Sequence, residues 1–222
     1  MTRRAQSITA RRFAFSSRRR SVADWSWLSA RLLLAANWAL NAFPGKYRPG
    51  WYEHEFSARV GFFARGNPWP PLQAVLTGVV LAHPALFAGL SAAGETAAAV
   101  LLLVPLTTRL GGAISSAVGI SYALASGWIN VGYALHPGSF ALLGILFVAF
   151  GASLPAGSGP RLRFGLAVLG AAGLILAWPL AFRWIGLLPT LPWTAAALAL
   201  IAHGVRSTRP RRPGSRVRTP AG

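Results

Sequence analysis

Among the side chains of this chain that can do chemistry, Glu95 stands apart. It is the only acidic residue after Glu55, and it lies inside an apolar, alanine-rich run from Pro84 to Leu106. A carboxyl group at the centre of a bilayer-length helix costs about 2.5–3.5 kcal/mol on insertion scales, which makes it a functional candidate by default. Two roles fit such a group. It can fix helix packing through a hydrogen bond or ion pair, or it can exchange a proton with a bound redox headgroup such as a quinone, because quinone reduction consumes protons as well as electrons. Arg31, about one and a half turns into the first apolar stretch, is long enough to reach Glu95 if the two helices are neighbours. An Arg31–Glu95 pair is therefore expected, with Glu95 as proton carrier and Arg31 tuning its charge.

The other polar residues within apolar stretches are fewer. Asn37 and Asn41, one turn apart, can bond between helices or hold a ligand carbonyl. His83 and His136 each precede a proline, and a pair of histidines on neighbouring helices can ligate haem. The residue before proline is pushed out of the helical region, so each His-Pro reads more simply as a helix start. Haem is not expected. His54 and His203 fall at other depths, and no metal set is expected from the four histidines. With no cysteine, the chain forms no disulfide, thiol pair or four-thiolate iron–sulfur cluster of its own. Electron chemistry would need a borrowed cofactor.

The elements that must position these groups are apolar helices. Hydrophobic residues make up 54% of the 222 positions and charged residues 12%, about half the charged share of a typical soluble domain. Mean hydropathy is +0.47. Six stretches are candidates to span a bilayer: Trp25 to Phe43, Pro84 to Leu106, Leu110 to Trp128, Phe140 to Leu154, Phe164 to Trp184, and Leu187 to His203. The expected fold is all-α, a polytopic transmembrane helical bundle. Residues 25–154 would form a four-helix core and residues 155–203 an additional transmembrane hairpin.

The net charge of +18 comes mostly from two basic tails, residues 1–24 and 204–222. Basic flanks beside apolar spans mark the cytoplasmic side and anionic lipid headgroups, which places both termini inside a plasma (inner) membrane. Nucleic acid is not an expected partner, since no folded module interleaves aromatic and basic residues. The external loop, 44–71, is expected to carry a short interfacial helix with Tyr52, Phe56, Val60 and Phe63 on one face and a Glu55–Arg59 pair on another. A break is expected at His83 and Pro84, and the tryptophans at stretch ends, among them Trp25, Trp27, Trp51, Trp69, Trp128, Trp184 and Trp193, are expected to be interfacial anchors.

Arg31 ahead of a hydrophobic span that ends near Lys46, Glu95 in the next span, and the turn Thr107, Thr108, Arg109 together resemble the DoxX/DoxD family of membrane proteins. The resemblance covers roughly residues 28 to 152. The insertion from Pro44 to Pro71 and Asn130 look more like the DoxD branch, the membrane subunit of thiosulfate:quinone oxidoreductase. What the resemblance implies is an integral membrane subunit of a quinone-linked oxidoreductase that couples thiosulfate oxidation to quinone reduction, beside a soluble or membrane redox partner. The resemblance carries over Arg31, Lys46, Glu95 and Arg109 as family-matching polar positions; Lys46 and Arg109, with Asn37 and Asn41, are the expected substrate-binding residues. A non-catalytic membrane scaffold for a redox complex is the alternative. A small transporter is the third class, with Pro105, Pro179 and Pro189 as compatible helix breaks.

Overall fold

The computed structural model describes residues 21–126, 131–155, 159–180 and 190–205, and every regular element in them is helical. The two basic tails up to residue 20 and beyond 205, Trp128, Asn130, Trp184, Pro189 and the expected turn at Arg183 to Gly186 lie outside the described residues. Helix α1 runs Val22–Lys46, and its start is set by a capping box in which Ser21 and Asp24 satisfy each other's backbone N–H. A π turn, Trp51–Glu55, leads into α2, Phe56–Gly66. Helix α3, Pro70–Val75, ends in a second π turn, Leu76–Val80. Then come α4, Pro84–Leu103, a single 3-10 turn Pro105–Thr107, and α5, Thr108–Ser126. Three further helices follow: α6, Val131–Phe150, α7, Pro160–Leu180, and α8, Leu191–Val205.

Each of the six stretches predicted from hydropathy is mainly helix over its described residues, and the break at His83–Pro84 is where α4 begins. The second His-Pro differs. Pro137 lies inside α6, which starts six residues earlier, so it marks no helix start. One described helix, α4, is long and apolar enough to cross a membrane by length and composition; Pro70–Val80, His136–Phe150 and Leu191–Val205 are apolar but shorter.

Two apolar clusters hold the fold. The larger joins α1, α4, α6, α7 and α8 through Trp27, Leu34, Trp38, Leu102, Leu143, Phe147 and Leu200. The smaller sits against the first half of α4, where Trp51, Phe56, Val60, Ala64 and Leu76 pack around Ala88. Its helix α2 buries Phe56, Val60 and Ala64, spaced four apart, with Phe63 beside them, while Tyr52 turns outward. The last two helices pack on each other and also join the core. α8 lies against α1, and Ala196, Ala199 and Leu200 share one core with Ala23, Trp27 and Ala30.

Helices α5 and α6 approach most closely through glycine. A Cβ on Gly112 would stand 2.7 Å from the Gly144 carbonyl oxygen, and a Cβ on Gly144 would stand 2.5 Å from that of Gly112. No side chain fits there, which is how small residues bring membrane helices together. Ser116 uses the closeness to donate to Gly112 O at 2.8 Å and to Ala141 O at 3.0 Å. α6 ends at Gly151, whose φ of +69° favours glycine, and the Gly151 carbonyl accepts a hydrogen bond from Trp27 Nε1 at 3.1 Å.

Candidate functional site

The two clusters meet at a polar seam. Lys46 occupies the last turn of α1, just past Pro44, and is 6% exposed. Ser91 and Glu95 lie one turn apart on α4 and so share a face. Tyr122 comes from α5, seven residues beyond the buried Ser115 and on the same side of that helix. Trp51 closes the group from the π turn after α1.

Lys46 Nζ stands 2.6 Å from Glu95 Oε1, 2.7 Å from Ser91 Oγ and 2.5 Å from the Tyr122 hydroxyl. Tyr122 in turn donates to Glu95 Oε1 at 2.8 Å. An ammonium has three hydrogens and here has three acceptors; a phenol has one hydrogen, and here it goes to the carboxylate. Ser91 must then be the donor in its 2.5 Å contact with the Tyr122 oxygen. Short N–O contacts of this kind are those of an ionised pair. The ammonium also lies 4.9 Å from the Trp51 ring centroid and 4.7 Å from that of Tyr122. The Arg59 guanidinium covers the Trp51 ring at 5.4 Å, which brings a second cation near the seam.

Glu95 is 1% exposed. Its Oε1 accepts two hydrogen bonds, while Oε2 is buried and meets no donor among the described residues. Trp51 Nε1 is likewise buried with no acceptor among them. Buried polar atoms are nearly always paired, so each such atom calls for an explanation. Among the described residues the seam thus holds one unused acceptor, Glu95 Oε2, and one unused donor, Trp51 Nε1.

The other predicted residues go elsewhere. Arg31 does not pair with Glu95. It is buried on α1 and donates from Nη1 to Thr108 Oγ1 at 3.0 Å, at the start of α5. The reason is register: Arg31 and Lys46 are fifteen residues apart, about 22 Å along one helix, so a single carboxylate on α4 can meet only one of them. Arg109 is exposed, with its side chain beside Gly151. Asn37 donates to Leu33 O of its own helix at 3.0 Å, and Asn41 is exposed.

Three smaller expectations also change. Glu55 pairs with Arg48 at 2.5 Å, because Arg59 is engaged with the Trp51 ring. Trp27 and Trp51 are buried core residues, whereas Trp25 and Trp69 are exposed. His83 is the N-cap residue of α4, and His136, inside α6, packs edge-on against Phe140 at 4.7 Å.

Sequence reasoning did not single out Tyr122, Ser91 or Trp51 as site residues. Tyr122 had a signal, since Ser115, Gly119 and Tyr122 follow helical spacing on one face of an apolar stretch. Ser91 had one as well, one turn before Glu95. Trp51 had none beyond its place after Lys46. No family model, curated protein or solved structure matches this chain.

Proposed function

We propose that the chain is a polytopic membrane protein, an integral plasma-membrane subunit of a quinone-linked oxidoreductase of DoxX/DoxD type with both termini cytoplasmic. One observation carries the reading: a fully buried carboxylate with one oxygen fixed by Lys46 and Tyr122 and the other unused. A membrane setting is supported by the outward faces of the helices, where Leu40, Phe43, Leu86, Leu90, Leu106 and Phe164 are exposed while the charged Arg31, Lys46 and Glu95 are buried. Intramembrane ionisable residues face the bundle interior, as these do.

In this reading a quinone headgroup enters laterally from lipid, and a partner subunit or a reduced sulfur donor such as thiosulfate supplies two electrons. Quinone reduction takes up two protons: Glu95, ionised at rest, takes one from water and passes it to the headgroup, and the second comes from water directly. Lys46, in place of Arg31, holds the charge on Glu95, and Tyr122 with Ser91 forms the hydroxyl chain through which the carboxylate keeps its geometry. The test is quinone reduction by purified protein in nanodiscs with thiosulfate among the donors. A folded Glu95→Gln variant should lose most of the rate, and an unchanged rate would sink the role given to Glu95.

A non-catalytic scaffold is the second reading. It is favoured by one feature, the mutual neutralisation of Lys46 and Glu95, which alone suffices to lock α1 against α4. Full function of the Glu95→Gln protein, partner recruitment included, would support it.

A further inference from the structure

The seam has spent its donors. All three hydrogens of Lys46 have acceptors, the Tyr122 hydrogen points to Glu95 Oε1, and the Ser91 hydrogen is committed to Tyr122. Glu95 Oε2 remains an acceptor with no donor among the described residues, and it belongs to an ionised group in an apolar surrounding. An oxidised quinone offers only carbonyl oxygens, which are acceptors and cannot complement it. A hydroxyl can. Its O–H supplies what Oε2 needs, and its oxygen lone pairs supply what the buried Trp51 N–H needs.

We infer that the Lys46–Glu95–Tyr122–Trp51 seam is a binding site for a phenolic, hydroxyl-bearing headgroup, and that it holds the reduced form of a quinone more tightly than the oxidised form. The inference rests on the quinone-linked reading and deepens it. Selective binding of the reduced form makes the bound quinone a better electron acceptor. Each tenfold preference for the two-electron reduced form raises the bound couple by about 30 mV. The site would thus favour the reaction of quinone with two electrons and two protons by binding the quinol it yields.

The experiment is equilibrium binding to the full chain in nanodiscs, with no electron donor present, by titration calorimetry. The probes are para-octylphenol and its methyl ether, para-octylanisole, followed by a short-chain ubiquinol and its ubiquinone. Wild type should bind the phenol about tenfold or more tightly than the ether, the worth of one hydrogen bond to a charged group, with the quinol preferred over the quinone in the same sense. Glu95→Gln should erase the phenol's advantage. Trp51→Phe, which keeps a ring beside Lys46, should weaken the phenol several-fold and guards against a Glu95 variant that fails to fold.

Equal affinity for phenol and ether, tighter binding of the quinone, or no binding of any probe would overturn the inference and leave water as the partner of the two atoms. Quinone turnover without a phenol preference would sink this inference alone. A phenol preference without turnover under any donor would sustain it and sink the redox reading.

Discussion

Two cations are buried on helix α1, and they are held in opposite ways. Lys46 meets a carboxylate, two hydroxyls and two aromatic rings where the two apolar clusters join. Arg31, four turns away, is held by the hydroxyl of Thr108, which itself is tied to Val104 O and Pro105 O at the turn before α5. A lysine is a compact point charge that a carboxylate can compensate at short range, whereas a guanidinium spreads its charge over five donors. The difference teaches which end of the molecule is the candidate for chemistry. The Lys46 end gathers a carboxylate, two hydroxyls and two rings around one ammonium; the Arg31 end joins helices through a hydroxyl at a turn.

The comparison is broken most directly by deleting the carboxylate. Glu95→Leu leaves the Lys46 ammonium buried and uncompensated, and should cost about 3–5 kcal/mol in unfolding measured in detergent. The double variant Lys46→Met/Glu95→Leu should recover most of that loss. A single variant as stable as the double would show that the pair is not mutually dependent. At the other end, Thr108→Val removes a hydroxyl bonded to Arg31 and should cost about 1–3 kcal/mol, with the phenol-over-ether preference unchanged. Loss of that preference would mean the two ends are coupled. The smallest effect sharpens the role of burial: Arg48→Ala breaks the exposed pair with Glu55 and should shift stability by about 0–1 kcal/mol, becoming smaller in high salt. A shift as large as that of Glu95→Leu would contradict the idea that burial, and not pairing itself, makes the seam decisive.

Much of this was legible in the sequence because apolar length is a strong signal. Each of the six apolar stretches is mainly helix over its described residues, and Glu95, picked out as the lone acid of its stretch, is the centre of the buried cluster. What could not be read was which cation meets it, because that depends on the register of α1 against α4, and nothing local encodes a pairing across forty-nine residues. Lys46 entered only through the family resemblance, as a polar residue past the end of a span. Pro137 misled for a different reason: proline is common at helix starts, but α6 accommodates it in the interior, where its carbonyl lies against Gly119 of α5. Trp27 and Trp51 misled because an interfacial position and a buried one with a ring contact share the same sequence address, near the end of an apolar run.

The packing of α8 on α1 has a consequence for the order in which the molecule can be completed. Ala23, Trp27 and Ala30 of α1 share their core with Ala196, Ala199 and Leu200, which are synthesised long after them, so α1 waits for α8. Until then its alanine-lined groove stays open to other small-residue helices. A nascent chain paused before α8 is therefore exposed to mispairing along α1.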